Sequence, residues 1–202
     1  DLTGRVFHSA AKQIGRLESS STLVNRIWES ILWTQRGNHV SVITDCPQRD
    51  ERLGWLGSLE PFAHTACYNM DVSALFLKVC RDFRLAQSKD GHFPNLAPNV
   101  LSFDKGAPAW ADAGVSAPWT GYVHFANRRL LEENYAAGCR FVDGIRERSP
   151  ELISTERGFG DWLNGDRVQL EGYPETGGKA PIKPFATAYF AHSAETLAKM
   201  AR

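Results

Sequence analysis

The chain has 202 residues, of which 43% are hydrophobic and 23% are charged, and its 23 basic and 23 acidic side chains give a formal net charge of zero. This length is sufficient for one domain with a hydrophobic core. The balanced charge argues against nucleic acid or an anionic membrane as a partner, since both require a surplus of Lys and Arg. No apolar run approaches the roughly 20 residues that span a bilayer, and the N-terminal residues lack a signal-peptide pattern. We therefore expect a cytoplasmic protein, or a secreted one if the N-terminus is truncated.

Apolar residues recur with a helical period in six segments of the chain. In order, these segments cover residues 24–32, 62–70, 72–83, 119–126, 131–145 and 186–197. A serine or threonine within 20–22 can cap the first helix, and Gly37 is expected to end it. The fourth helix is expected to begin at Pro118, because proline is favoured in the first turn. The pattern predicts an all-α chain of about six helices that forms a single domain over residues 1–202.

Two connections are long and rich in Gly and Pro, at residues 88–114 and 154–184. Loops of this length in a compact domain usually carry function or are disordered. Both hold aromatic and acidic residues that a simple linker lacks: Phe93, Trp110, Asp112, Asp161, Trp162, Glu171 and Tyr173. We therefore expect the two long loops to line one end of the helical layer.

The cysteines and histidines show no ligand spacing typical of a metal site, and we expect no metal and no cofactor. Cys67 and Cys80 fall on apolar stripes and are expected to be buried. His64 lies one position off an apolar helix face and is expected to pack against the core. Three further histidines stand alone in the sequence: His39, His92 and His124.

The segment from Asp45 to Trp55 has the densest mixture of charged and aromatic residues. It contains three carboxylates, two arginines and a tryptophan: Asp45, Arg49, Asp50, Glu51, Arg52 and Trp55. Glycoside hydrolysis requires one carboxylic acid to protonate the leaving oxygen and a second carboxylate to activate water or attack the sugar, and aromatic faces stack on sugar rings. The same composition is also typical of a surface salt-bridge cluster at the start of a helix, so the residues alone leave both interpretations open.

The order of residues in this segment adds a resemblance to a known family. Residues 45–55 read Asp-Cys-Pro-Gln-Arg-Asp-Glu-Arg-Leu-Gly-Trp, which is similar to the motif that opens the catalytic cleft of bacterial α-L-rhamnosidases of the six-hairpin glycosidase type. Further matching segments follow in the family's order: residues 14–20 and 23–28, Asp90-Gly91-x-x-Pro94, Trp110-x-Asp112-Ala113, Pro118-Trp119 and Gly158-x-Gly160-Asp161-Trp162-Leu163. The resemblance implies the N-terminal half of an (α/α)6 toroid and the acid/base hydrolysis of terminal α-L-rhamnosides.

The resemblance also implies roles for individual residues. Glu51 corresponds to the general acid, Asp45 and Arg49 to contacts with rhamnose hydroxyls, and Trp55 to a wall of the sugar pocket. The candidate catalytic residues are therefore Glu51 and Asp45. The candidate substrate-binding residues are Arg49, Asp50, Trp55, Trp110, Asp112, Asp161 and Trp162. Two structural alternatives remain: Trp55 and Trp110 as core residues, and Asp161 as the cap of the turn at Trp162.

The chain departs from the family pattern at two points. Ser58 stands where the family has an aspartate, and the family's general base lies on a segment beyond Arg202. Candidates for a substitute base are Asp112, Asp161, Glu171, Glu175 or a residue of a second copy. A half toroid exposes apolar flanks, so we expect a homo-oligomer. The alternatives to a rhamnosidase are a carbohydrate-binding or self-associating module without turnover, and an unrelated hydrolase.

Overall fold

The computed structural model describes residues 2–9, 11–101, 105–162 and 180–202. The elements within these ranges are α1 (Thr22–Asn38), β1 (His39–Val40), β2 (Val42–Ile43), α2 (Leu56–Asn69), α3 (Ser73–Ala86), α4 (Ala113–Phe125), α5 (Arg129–Arg148) and α6 (Ile182–Met200). The two strands form one short antiparallel hairpin, in which Val40 faces Val42. Apart from this hairpin, the described part of the chain is all-α with six helices, as predicted.

Among the described helices, α1 begins at a side-chain cap, whereas the other five have no side-chain cap hydrogen bond. The hydroxyl of Ser21 accepts a hydrogen bond from the Val24 N–H at the start of α1. The prediction that the fourth helix begins at Pro118 was wrong, because α4 begins at Ala113 and contains Pro118 in its interior. Residues 113–117 are small and almost entirely buried, so they show none of the amphipathic periodicity that marks an exposed helix.

Helix α4 lies at the centre of the packing and contacts α2, α3, α5 and α6. Its small residues allow the close approach, since a Cβ added at Gly121 would lie 2.6 Å from Cδ1 of Leu130 on α5. The largest buried side chains around it include Phe76, Phe93 and Leu130. This core fixes the relative positions of the helices whose N-terminal ends carry the polar residues discussed below.

The buried cysteines agree with the sequence, whereas the histidines do not. Cys67 and Cys80 are buried, as predicted. His64 was expected to pack against the core, but it is exposed, and its Nδ1 lies 3.0 Å from Nε2 of His124. His92 is also not isolated, because its Nε2 lies 3.9 Å from the Glu156 carboxylate. These pairs join distant positions, which sequence spacing cannot reveal.

Helix α1 contacts the hairpin that follows it, and its buried Gln35 joins it to α2 by donating to the Ala66 carbonyl oxygen at 3.1 Å. Several apolar side chains of α1 are open to solvent, including Leu23, Val24, Ile27 and Trp33. Within the described ranges, no helix has both the length and the apolar character needed to cross a membrane.

The two long loops and the segment before α2 meet at one end of the helices. Trp55 pairs with Leu96 in an isolated bridge, and the Leu56 N–H donates to the Asn95 carbonyl oxygen at 2.8 Å. The Asn95 side chain in turn accepts from the Ala107 N–H at 2.7 Å. These bonds join the N-terminus of α2 to the first long loop, so the motif segment and Trp110 are held side by side.

Candidate active site

A cavity of about 890 Å³ opens at the N-terminal end of α2. Its walls come from the motif segment, from α2, from both long loops and from α6. The lining residues are Asp45, Cys46, Arg49, Glu51, Trp55, Gly57, Ser58, Glu60, Pro61, Ala109, Trp110, Phe159, Gly160, Asp161, Trp162, Phe185 and Tyr189. The cavity has the size and mixed lining of a small-molecule site.

The motif segment folds back on itself, which brings separated carboxylates together. The Asp45 N–H donates to the Leu53 carbonyl oxygen at 2.8 Å, and the Arg52 Nε donates to the Pro47 carbonyl oxygen at 3.1 Å. Positive φ angles at Cys46 and Arg52 sharpen the turn. As a result, Asp45 and Glu51 both face the cavity although six positions separate them.

Glu51 forms the closest ion pair of the segment. Its carboxylate lies 2.6 Å from the Arg49 guanidinium, and 22% of its side chain is exposed. The indoles of Trp55, Trp110 and Trp162 line the same cavity. Glu51 is therefore a partly exposed carboxylate in an aromatic-walled hollow.

Cys46 adds a third polar group beside the two carboxylates. Ligand atoms of Asp45, Cys46 and Glu51 lie within 4.8 Å of one another, a grouping that the sequence spacing did not indicate. Burial, a hydrogen bond to Asp45 and the negative charges of Asp45 and Glu51 raise the pKa of the Cys46 thiol. A protonated thiol is a poor nucleophile and a poor metal ligand, and Arg49 already compensates the charge of Glu51.

The aromatic wall is organised around Phe159, a residue that the sequence analysis did not single out. Its ring centroid lies 4.8 Å from that of Trp110, 5.5 Å from Trp162 and 6.3 Å from Trp55, all at tilted or edge-to-face angles. Phe159 is the variable position between Gly158 and Gly160. Gly158 packs against Ala107 and Pro108, and Gly160 has a positive φ of 60°, so the two glycines direct Phe159 into the wall.

Glu60 is the second residue that sequence reasoning missed. It lies in the first half of α2, and its Oε2 is in hydrogen-bond contact with the Ser116 hydroxyl of α4. Burial raises the pKa of Glu60 to about 7, against the lowering effect of the Ser116 contact and with a further upward contribution from Asp112. The available signal was a glutamate between Leu59 and Pro61 in a helix that is otherwise largely apolar at its start.

Two of the predicted site residues lie outside the cavity. The side chain of Asp50 is fully exposed, and its nearest cation is Arg52 at 4.0 Å. Asp112 is 2% exposed and accepts hydrogen bonds from the Ala109 N–H at 2.8 Å and from the Ser193 hydroxyl at 2.5 Å. Asp112 therefore ties the first long loop to α6, because its position just before α4 turns the carboxylate towards the helix interface.

The other predicted residues meet at the cavity. Seven of them line it: Asp45, Arg49, Glu51, Trp55, Trp110, Asp161 and Trp162. Among the candidates for a substitute base, Asp161 lines the cavity and Asp112 does not. Glu171 and Glu175 lie outside the described residues.

Comparison with known proteins identifies the protein family. Residues 12–202 match the bacterial alpha-L-rhamnosidase 6 hairpin glycosidase domain. The chain belongs to this family. An α-L-rhamnosidase of Streptomyces avermitilis is 38% identical over 200 residues, which cover 99% of this chain and 18% of that protein. One from Formosa agariphila is 35% identical over 203 residues, covering 99% of this chain and 21% of that protein.

Solved structures of this family share the fold described above. The crystal structure of the S. avermitilis α-L-rhamnosidase complexed with L-rhamnose matches with a TM-score of 0.88 and 38% identity, over 98% of this chain and 18% of that chain. The α-L-rhamnosidase from Dictyoglumus thermophilum matches with a TM-score of 0.88 and 32% identity, over 98% and 22%. The predicted family and the all-α, partial six-hairpin toroid are thereby confirmed. The chain spans about a fifth of the length of these relatives.

Proposed function

We propose that the cavity binds a terminal α-L-rhamnosyl group and that the chain supplies the general acid of a rhamnosidase active site. The observation that carries this proposal is the meeting of Glu51, Asp45 and Arg49 in one hollow with three indoles. Aromatic faces suit the C–H surfaces of a sugar ring, while the carboxylate and the guanidinium suit its hydroxyls. The rhamnose-bound relative from S. avermitilis supports the choice of sugar.

In the proposed reaction, Glu51 protonates the bridging oxygen as the bond to the anomeric carbon breaks. The Arg49 guanidinium lies 2.6 Å from the Glu51 carboxylate and holds the carboxyl group in position. A sugar hydroxyl that engages Arg49 and Asp45 loosens this pair. Glu51 takes up a proton from solvent before the bond breaks, gives it to the departing oxygen, and is left as a carboxylate when the alcohol leaves.

The second carboxylate of the reaction must lie on the other side of the sugar. Asp161 is the base candidate that lines the cavity within the described residues, and it comes from the second long loop rather than from the motif segment. A second copy of the chain is the other source that we consider, and the exposed apolar residues of α1 favour self-association. Sedimentation velocity tests this, with a dimer expected and a monomer at all concentrations against it.

Hydrolysis of an aryl α-L-rhamnoside tests the role of Glu51. We expect Glu51→Gln to lower kcat by about 10²–10⁴-fold, which is the usual contribution of a general acid. Asp50→Asn is the matched control, because Asp50 is the adjacent carboxylate and lies outside the cavity. Equal rates for the wild type and Glu51→Gln would remove Glu51 from the mechanism.

The second candidate function is rhamnose binding without turnover. Two observations favour it: the chain spans about a fifth of its relatives' length, and Ser58 lines the cavity where the family pattern has an aspartate. Calorimetry with L-rhamnose together with a product assay separates the two functions. Binding without product release favours the binding module, whereas release of rhamnose that depends on Glu51 favours the enzyme.

A further inference from the structure

Part of the cavity wall comes from the regular helices α2 and α6. Glu60 of α2 lines this part and contacts the Ser116 hydroxyl of α4, which packs against both helices, and Tyr189 of α6 lines it as well. The three helices belong to the central packing of the fold, so these side chains are held by rigid elements rather than by loops. Such positions suit a group that must present one atom to a ligand with fixed geometry.

Glu60 differs from Glu51 in its electrostatic surroundings. Glu51 has Arg49 at 2.6 Å, whereas no ion pair involves Glu60 in the part of the chain that the structure describes. Its charged neighbour is instead Asp112, another carboxyl, and burial raises the pKa of Glu60 to about 7. Glu60 therefore holds a proton for a large fraction of the time at neutral pH, without any substrate present.

We propose that Glu60 is a specificity-determining residue of the sugar site, which in its protonated form donates a hydrogen bond to one rhamnose hydroxyl. This rests on the proposed function and assigns a contact that the motif segment does not supply. A carboxylic acid can donate and accept at once, which matches a hydroxyl that also does both. The Ser116 contact orients the carboxyl group of Glu60. A ligand that lacks the hydroxyl leaves this buried donor without a partner, which weakens the binding of that ligand.

The pH dependence of this contact depends on the groups that face Glu60 from the surrounding elements. From α4 and the residue just before it these are Ser116 and Asp112, and from α6 they are Tyr189 and His192, the last of which acts on Asp112. The motif segment and the second long loop add the charged residues of the cavity: Asp45, Arg49, Glu51 and Asp161. Burial raises the pKa of Tyr189, and the charges of Glu60 and Asp112 raise it further. The Tyr189 phenol therefore stays neutral over the pH range in which Glu60 is titrated.

Carbon-detected NMR of glutamate-labelled chain measures the titration of Glu60 with and without saturating L-rhamnose. We expect one carboxyl signal with a midpoint near 7 that is absent from Glu60→Gln and present in His192→Gln. L-Rhamnose should move this midpoint upward by about one unit, because binding to the protonated form must by linkage raise its pKa. The affinity for L-rhamnose should fall about tenfold between pH 6 and pH 9 for the same reason.

Substitutions of Glu60 separate its role as a hydrogen-bond donor from the ionisation of its carboxyl group. Gln donates through its amide but does not titrate, so Glu60→Gln should bind L-rhamnose within about threefold of the wild type at pH 6 and lose the pH dependence. Glu60→Ala loses the donor and should bind about tenfold more weakly. It should also no longer distinguish L-rhamnose from the monodeoxy analogue that lacks the contacted hydroxyl. Glu195→Gln, on the exposed side of α6, is the matched control and should behave as the wild type.

The outcomes distinguish this proposal from the one on which it rests. If the wild type binds L-rhamnose but the Glu60 midpoint stays unchanged, or if Glu60→Gln keeps the full pH dependence, the contact is overturned and the sugar site stands. If the wild type does not bind L-rhamnose at any pH, both proposals are overturned. Circular dichroism of Glu60→Gln verifies that the nearly isosteric variant is folded.

Discussion

The Gly57→Ala variant tests whether the position of Trp110 in the cavity wall depends on the absence of a side chain at position 57 of α2. A Cβ at Gly57 lies 2.5 Å from Cδ2 of the Trp110 indole and closer still to Nε1 and Cε2, whereas ordinary van der Waals contact begins at 3.4 Å. These are rigid ring atoms, so the indole must move by about 1 Å in a densely packed wall. Because Trp110 also stacks on Phe159, the displacement reaches the rest of the aromatic wall.

The energetic effect has two opposing parts. Overpacking costs about 1–3 kcal/mol, while the better helix propensity of alanine returns roughly 1 kcal/mol. We expect Gly57→Ala to lower the free energy of unfolding by up to about 2 kcal/mol and to weaken L-rhamnose binding by about tenfold, since a misplacement of 1 Å is large for a binding site. Urea denaturation measures the first quantity and calorimetry the second.

Gly37→Ala is the matched control for this change. Gly37 lies near the end of α1, where an added Cβ has nothing within 4 Å. This variant should gain up to about 1 kcal/mol of stability from helix propensity, and its affinity for L-rhamnose should not change. If Gly57→Ala retained wild-type stability and wild-type affinity, the inferred contact between α2 and Trp110 would be refuted.

Two further predictions concern pH and the aromatic wall. The His39 side chain is buried and has no hydrogen-bond partner among the described residues. Burial lowers the pKa of His39 from 6.5 to about 4. The free energy of unfolding is therefore unaffected above pH 6.5 and decreases as the pH falls from 6.5 towards 4, because the unfolded chain binds a proton there that the folded chain does not. By linkage, the free energy of unfolding of the wild type falls by about 2.5 kcal/mol between pH 7.5 and pH 4.5. Urea unfolding at the two pH values should show a decrease that is smaller by this amount in His39→Leu than in the wild type. Phe159→Ala removes the ring shared by Trp55, Trp110 and Trp162, and calorimetry should show L-rhamnose affinity reduced by about tenfold or more. An unchanged affinity would mean that the three indoles keep their positions without Phe159.

The sequence predicted the motif side of the cavity well because its signals are local. Residues 45–55 combine charge, tryptophan, proline and glycine within one short turn, and the turn brings Asp45 and Glu51 together without help from distant residues. The helical periodicity of amphipathic segments likewise predicted the six helices of the described residues. Buried cysteines on apolar stripes followed from the same pattern.

The remaining features depend on contacts between distant positions. Asp112 is close to Trp110 in sequence, but its carboxylate is drawn away from the cavity by Ser193, which lies 81 positions later. Glu60 acquires its raised pKa from burial and from Asp112, while Ser116 of another helix contacts its carboxyl group and opposes the shift. The start of α4 was missed because a helix segment buried on every side has no polar face to reveal its period.

The most direct measurement of proton donation by Glu51 compares two leaving groups. Hydrolysis of a dinitrophenyl α-L-rhamnoside needs little protonation of the departing oxygen, whereas hydrolysis of methyl α-L-rhamnoside needs much. We predict that Glu51→Gln lowers kcat for the methyl glycoside by about 10²–10⁴-fold and that for the dinitrophenyl glycoside by less than about tenfold. Equal losses on the two substrates would contradict a general acid at position 51.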